Sequence, residues 1–234
     1  MYNFKGISPE AIDLLSINTF ENSKEFYELH KEEIKNLATI PMRQIMLDLS
    51  DDLTKLDSKI YTDPVYTVSR VARDTRRQNN KPRYRENLWV MFRRNKFEYP
   101  FAPFLWFEFM PSSYSYGIAI FTQRAAQMDE VRKVIEKHPR KFLKAAAFLE
   151  NNGYEFCSEL YKKDRAPALS EPLKKYYNSK WLEFIHTDYD LSKINSSGLI
   201  DELKEHISNS KAMYLLLIEA YENMLSEGLI NNER

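Results

Sequence analysis

The side chains best suited to chemistry lie between positions 70 and 96, where lysines and arginines are concentrated. This segment contains ten lysines and arginines but only two acids, Asp74 and Glu86, in a chain whose formal net charge is zero. Arginine presents a planar fork of donors that binds carboxylates and phosphates through paired hydrogen bonds. The segment is therefore predicted to bind a small anionic or phosphorylated ligand.

We place the predicted site within residues 70–85. Neighbouring positive charge favours the ionised form of an acid, so Asp74 suits an orienting role, or metal ligation, better than proton donation. Arginines on a strand alternate between its two faces, so some of them are expected to be structural. The predicted anion-binding side chains are Arg70, Arg73 and Arg76, oriented by Asp74, and Lys81, Tyr84 and Arg85 complete the rim.

Two other functions remain open for the same segment. An enzyme acting on a phosphoester would use His30 as a base and Asp74 as an orienting group, which requires the two to meet in one cavity. An interaction module would dock the basic segment on an acidic surface, in another protein or in a homodimer. The chain itself offers such a surface, because residues 1–64 contain twelve acids against seven lysines and arginines.

Several classes of protein lose support from the absence of their motifs. The sequence lacks the phosphate-binding G-x-x-x-x-G-K-[ST] and G-x-G-x-x-G loops and the G-x-S-x-G nucleophile elbow. It also lacks the H-x-x-x-H and C-x-x-C spacings of common metal sites. We therefore predict no cofactor and no metal. A nucleic-acid partner remains an alternative, although zero net charge provides no overall attraction to one.

Cysteine content and hydropathy favour a soluble cytoplasmic protein. The single cysteine, Cys157, permits no intrachain disulfide. The first residues have no basic stretch followed by an apolar run, so they do not resemble a signal peptide. No run approaches the roughly 20 apolar residues that a transmembrane helix needs. We predict no association with a membrane, and the oligomeric state is left open.

The pattern of apolar residues predicts an α+β fold. An antiparallel sheet is expected to be packed by N-terminal and central helices, followed by a C-terminal helical extension. Residues 1–190 would form the α+β domain, and residues 191–234 a helical pair packed on the same domain. Helices are predicted from Ser8 and Asn22, with a break at 39–41, and over 42–56, 127–137, 139–149, 172–185, 197–207 and 210–225. Strands are predicted over 64–72, 87–92, 104–110, 116–122 and 154–161.

Two segments resemble a known family of uncharacterised proteins. Residues 70–76, which read RVARDTR, together with Lys81 and Tyr84-Arg85, are similar to the R-x-x-R-D-x-R signature of domain-of-unknown-function family 2461. Residues 22–31, which read NSKEFYELHK, resemble its N-N-R-E-W-F-x-x-H-K segment and include His30. The resemblance spans about residues 8–186 and implies an α+β domain without implying an activity. The chain departs from the pattern at Arg77, Gln78, Asn80 and Arg83.

Overall fold

The computed structural model confirms the α+β class and describes residues 2–74, 76, 81–165 and 169–230. A five-stranded antiparallel sheet is accompanied by helices, one of which is C-terminal. The sheet has the strand order β1-β2-β3-β5-β4. The strands are β1 (Leu88–Phe92), β2 (Phe104–Phe109), β3 (Tyr114–Ile120), β4 (Glu155–Cys157) and β5 (Leu182–Asp188). The helices are α1 (Pro9–Glu21), α2 (Lys24–Ile34), α3 (Ile40–Leu56), α4 (Pro64–Thr67), α5 (Ala125–Lys137), α6 (Pro139–Asn151), α7 (Glu171–Tyr177) and α8 (Gly198–Ser226).

The first two helices begin where the sequence predicts. Ser8 caps α1, its hydroxyl accepting from the backbone of Ala11, and Pro9 occupies the first turn. Ser23 caps α2 in the same manner through Phe26. Such caps satisfy amide groups that a helix start leaves without partners.

The predicted break at 39–41 is wrong. A π-helical turn over Lys35–Thr39 joins α2 to α3, and its backbone stays helical at both ends. The amide of Ile40 donates to the carbonyl of Lys35, five residues back. Pro41 lies in the first turn of α3, where a missing amide hydrogen is tolerated. The wider turn thus lets the helical path continue past the proline.

The strand predicted over 64–72 is also wrong at its start. Asp63 caps the short helix α4, accepting from the amide of Val65 at 2.8 Å, and Pro64 begins it. The β-branched residues suggested a strand, but the Asp-Pro start of a helix prevailed locally. The chain then extends and forms isolated antiparallel bridges, Val68 with Val90 and Ala72 with Tyr84.

The chain forms two compact units. The first comprises Met1–Phe92, Trp106–Tyr116 and Thr187–Glu205, and the second comprises Arg93–Leu105, Gly117–His186 and His206–Arg234. Each unit has its own buried apolar residues. Those of the first include Leu15, Ile45, Leu49, Leu88, Val90, Phe107 and Tyr114, and those of the second include Met128, Ile135, Phe142, Leu149, Phe184, Leu217 and Tyr221.

A glycine secures the start of the first unit. Gly6 has a φ of +131°, and a Cβ there would lie 2.2 Å from the carbonyl oxygen of Asn195. The next residue, Ile7, donates its amide to Ile194 at 2.8 Å. Any side chain at position 6 would both strain the backbone and prevent this close approach.

The helix predicted over 172–185 is really a helix followed by a strand. Helix α7 ends at Tyr177, and β5 begins at Leu182. The strand pairs antiparallel with β4, with Phe156 opposite Phe184. Leu182 and Phe184 are fully buried while Glu183 is half-buried, so a period of two was present but was interpreted as part of a helix.

The C-terminal segment contains one long helix, α8, in place of the predicted pair over 197–207 and 210–225. The polar residues around Ser208 and Asn209 suggested a break. Instead, Ser210 is fully buried and its hydroxyl lies 3.2 Å from Nδ1 of the buried His206. Side-chain hydrogen bonding within the packed helix therefore removes the reason for a break.

Candidate functional site: an arginine-rich arm

The basic segment folds back on itself as an irregular arm, residues 68–90, which we call the arginine arm. Thr75 and residues 77–80, which include three of the four departures from the family pattern, lie outside the described residues. Backbone hydrogen bonds join the two sides of the arm. Ser69 donates to Trp89 at 2.9 Å, Arg73 to Arg83 at 2.7 Å, and Arg85 to Val71 at 2.9 Å. The arm is therefore held by its own antiparallel pairing even without a regular strand on its first side.

Helix α2 anchors the arm. The Tyr84 ring stacks on the Tyr27 ring with centroids 4.6 Å apart. The side-chain oxygen of Asn22 accepts from the amide of Arg83 at 2.7 Å. Tyr84 is only 5% exposed, which differs from the open rim position predicted for it. The two segments that carry the family resemblance thus meet in the structure.

Asp74 holds one arginine. Its two carboxylate oxygens accept from Nε and Nη2 of Arg76 at 2.9 and 2.7 Å, and the Arg76 amide lies 3.2 Å from the first of them. The side chains are 62% and 87% exposed. Such an exposed pair contributes little stability, but it fixes the orientation of the Arg76 fork.

The other cations of the basic segment differ in their surroundings. Arg70 and Lys81 are exposed, and the half-buried Arg73 donates from Nε to the Tyr84 carbonyl at 3.3 Å. Arg94, by contrast, is 4% exposed and forms an ion pair with Glu222 at 2.5 Å. The structure therefore makes Arg94 a structural residue, while leaving the arm's own cations near solvent.

Arg85 is, with Arg73, a half-buried arginine of the arm. Its guanidinium carbon lies 4.4 Å from the centroid of the Trp89 ring. Its Nε is buried and has no hydrogen-bond acceptor among the residues that the structure describes. Burial, together with the nearby charge of Arg73, lowers the pKa of the Arg85 guanidinium, and Glu108 opposes the effect. Arg85 thus has one neighbouring cation, Arg73, and one neighbouring carboxylate.

That carboxylate, Glu108, comes from β2, the neighbour of β1 in the sheet. The amide nitrogen of Asn87 donates to it. Burial raises the pKa of Glu108, while the Asn87 hydrogen bond and the Arg85 charge offset part of that rise. Trp106 lies two residues before Glu108, on the same face of the strand. Its indole Nε1 is buried and has no hydrogen-bond acceptor in the described part of the chain.

We call this group the Arg85 cluster, and all its members belong to the first unit. It combines two cations, one carboxylate and two indole rings, with two buried donors that no described protein atom accepts from. Buried donors normally have partners, so this arrangement suits an added acceptor. The cluster consists of Arg73, Arg85, Asn87, Trp89, Trp106 and Glu108.

Only part of this cluster was predicted. Arg73 and Arg85 were named as ligand-binding residues, whereas Asn87 and Trp89 were read only as strand residues. A signal for Trp89 existed, because it alternates with the buried Leu88 and Val90 and must therefore lie on the opposite face of β1. The meeting of Asn87 with Glu108 depends on the pairing of β1 with β2, which the sequence does not specify.

His30 has local contacts. Its ring stacks on that of Phe26 at 4.0 Å, and its Nδ1 lies 2.9 Å from the Phe26 carbonyl oxygen in the same helix. The contacts described for Asp74 are likewise within its own segment. The convergence of His30 and Asp74 required by the phosphoester hypothesis therefore gains no support from these contacts.

The described residues offer neither a metal-binding group nor a cysteine activated as a nucleophile. They contain no group of three or more His, Cys, Asp or Glu side chains placed to hold a metal ion. Burial raises the pKa of the Cys157 thiol, which disfavours the thiolate. Among the helices of the described ranges, none combines the length and apolar content needed to cross a membrane.

The fold and the anchored arm define an α+β protein with an arginine-rich surface. The chain belongs to the family described as "Conserved hypothetical protein (DUF2461)", which matches residues 10–215. The match confirms the predicted family and extends beyond the predicted limit near residue 186 into α8. No match was found among curated proteins.

Proposed function

We propose that the protein binds a small anionic ligand, bearing a carboxylate or phosphate group, at the Arg85 cluster and the adjoining arginine arm. Arg73 and Arg85 would contact the anion. Arg70, Lys81 and the Asp74-oriented Arg76 would contribute positive charge from the exposed side of the arm, as predicted from the sequence. Tyr84 would act indirectly, by anchoring the arm to α2.

The observation that carries this proposal is the state of Arg85. Its guanidinium is half-buried against Trp89, near a second cation, with a buried Nε that has no described acceptor. An arginine whose role is structural normally gives its donors to protein acceptors. A ligand oxygen would satisfy Nε and compensate the excess positive charge at once.

Trp106 adds a second contact of a different kind. Its ring is half-buried on β2, and its buried indole N–H is also without a described acceptor. A ligand that carried a further acceptor beside its anionic group would satisfy this donor. This favours a compact polar organic anion, such as a hydroxy acid or a phosphorylated metabolite, whereas an inorganic anion would make the arginine contacts alone and bind more weakly.

Calorimetric titration with inorganic phosphate and with sulfate tests the anion contact. We expect binding by the unmodified protein and a loss of about 10- to 100-fold in affinity for Arg85→Ala, because a charge-assisted hydrogen bond contributes roughly 1.5–3 kcal/mol. Arg85→Lys keeps the charge but loses the fork, so it should bind with intermediate affinity.

Arg140→Ala is the matched control, since Arg140 is exposed on α6 and belongs to the second unit. It removes the same charge and should leave the affinity unchanged. Equal losses in Arg85→Ala and Arg140→Ala, or no binding of either anion at low ionic strength, would contradict the proposal.

A further inference from the structure

A groove runs between α6 and α8 in the second unit, with a volume of about 920 Å³. Its lining includes the small side chains of Ala145 on α6 and Ala212 on α8, and the larger apolar side chains of Phe148, Leu215 and Leu216. Phe148 is 47% exposed and Leu215 is 50% exposed. The groove therefore leaves two large apolar side chains in water, which is typical of a surface that another molecule covers.

The rims of the groove are positively charged on both sides. Lys141 and Lys144 line it from α6, and Lys211 lines it from α8. None of the three has an ion-pair partner among the described residues. The acid at one end, Glu219, is already paired with Lys137 at 2.8 Å.

This distribution of charge indicates the chemistry of the occupant. A fatty acid carries its charge at one end only, whereas an acidic amphipathic helix carries carboxylates along both flanks of an apolar stripe. Lysines on both rims match the second pattern. Helix-in-groove recognition uses such stripes, with the apolar residues spaced three or four apart.

The chain exposes an acidic helix on its first unit, in which one large apolar side chain lies between two acids along one face. Leu29 of α2 is 80% exposed, and Glu25 and Glu33 lie four residues before and after it, on the same face. Neither glutamate has an ion-pair partner in the described part of the chain. Phe20, at the end of α1, adds a further apolar side chain that is 87% exposed.

We propose that the acidic face of α2 in one copy of the chain docks into the α6–α8 groove of a second copy. Leu29 would cover Phe148 and Leu215, and Glu25 and Glu33 would face the rim lysines. Glu25 and Glu33 are eight residues apart, about 12 Å along α2, so a helix that crosses the groove would place Leu29 over its centre and one acid near each rim.

The proposal differs from the homodimer considered above, in which the basic arm met the acidic helices, and it is independent of anion binding at the Arg85 cluster. Because the helix and the groove are different surfaces, the contact is heterologous, and it builds rings or chains of subunits. One helix in one groove buries little area, so the association is weak and dependent on protein concentration.

Sedimentation equilibrium of the full chain over a wide range of concentrations tests the proposal. At low ionic strength we expect the mean mass to rise above that of one chain, and added salt should reverse the rise. Lys144→Glu with Lys211→Glu should weaken association by about fivefold or more, since like charges then face each other. Glu25→Lys with Glu33→Lys should do the same.

Mixing the two charge-reversed proteins supplies the decisive measurement, because both pairings between them are complementary: the reversed α2 meets the reversed groove, and the unmodified α2 meets the unmodified groove. Association should return in the mixture but not in either protein alone.

Leu29→Ser should weaken association without a charge change. Lys162→Glu with Lys163→Glu, exposed residues that do not line the groove, controls for the altered net charge. A protein that stays monomeric at all concentrations, or association that no groove or α2 variant alters, would overturn the proposal.

Discussion

Two arginines in the two units show how the same residue type serves different ends. In the second unit, Arg132 is 3% exposed, and all three of its guanidinium nitrogens donate to protein oxygens. The acceptors are Tyr177 O at 2.8 Å, Asp129 Oδ1 at 2.6 Å and Ser179 O at 3.0 Å. In the first unit, Arg85 is less buried, yet its Nε has no described acceptor.

The difference teaches that burial alone does not decide whether the protein itself accepts all the donors of an arginine. Arg132 ties helix α5 to the last residue of α7 and to the backbone that follows it, so its fork is occupied by the protein. Arg85 is held in position by stacking on Trp89, which leaves donors for another molecule. The proposal that a ligand binds beside Arg85 therefore rests on hydrogen-bond satisfaction more than on exposure.

The largest effect on stability should come from the substitution of Arg132, whose donors all have protein acceptors. Arg132→Ala removes the donor of the buried Ser179 carbonyl and of the half-buried Tyr177 carbonyl, and it leaves Asp129 with Arg165 as its remaining arginine partner. We expect a loss of about 2–4 kcal/mol in the free energy of unfolding, measured by urea denaturation, because two backbone carbonyls lose their hydrogen-bond donors. Arg140→Ala, on the exposed face of α6, should change it by less than about 0.5 kcal/mol. A near-neutral Arg132→Ala would remove the basis of the comparison.

A smaller effect, on the affinity for sulfate, is expected from the substitution of Glu108. Burial raises its pKa, so it takes up a proton at a higher pH than an exposed glutamate does. Protonation removes the negative charge beside Arg85, so the affinity for sulfate should rise as the pH falls through this raised pKa. Glu108→Gln should bind sulfate about tenfold more tightly at neutral pH and lose this pH dependence. The exposed Glu86→Gln serves as the control, and an unchanged pH profile in Glu108→Gln would argue against a site beside it.

The anchoring of the arm should contribute less again. A double-mutant cycle of Tyr27→Ala and Tyr84→Ala should give a coupling free energy of about 0.5–1.5 kcal/mol, as expected for a stacked ring pair. The same cycle made with Tyr27→Ala and Tyr66→Ala, the latter removing a ring that is 71% exposed, should give a value near zero. Equal couplings in both cycles would mean that the stack does not hold the arm.

The smallest effect on stability is expected for the substitution of Arg85 itself. Arg85→Ala loses a stacking contact with Trp89 but also removes an unsatisfied donor and a repulsion from Arg73. These terms oppose each other, so the free energy of unfolding should change by less than about 1 kcal/mol in urea denaturation. A loss comparable to that of Arg132→Ala would place Arg85 among the structural arginines.

Local sequence signals predicted much of the helical structure and the charged arm. Ser8 and Pro9 start α1 because their chemistry acts on the adjacent turn, which needs no distant partner. Signals failed where two local patterns competed, as at Asp63-Pro64, where the cap prevailed over β-branched residues. They also failed at β5, since a short apolar run fits a helix or a strand until its neighbour is known.

The sequence by itself determined the family, the α+β class and the concentration of positive charge in one segment. Only the tertiary structure decided which arginines are structural, because that depends on acceptors far along the chain. Arg94 pairs with Glu222, which is 128 residues away, whereas Arg85 meets Glu108 through the neighbouring strands β1 and β2. Hydrogen bonds and burial are set by such long-range packing, which no local pattern of residues encodes.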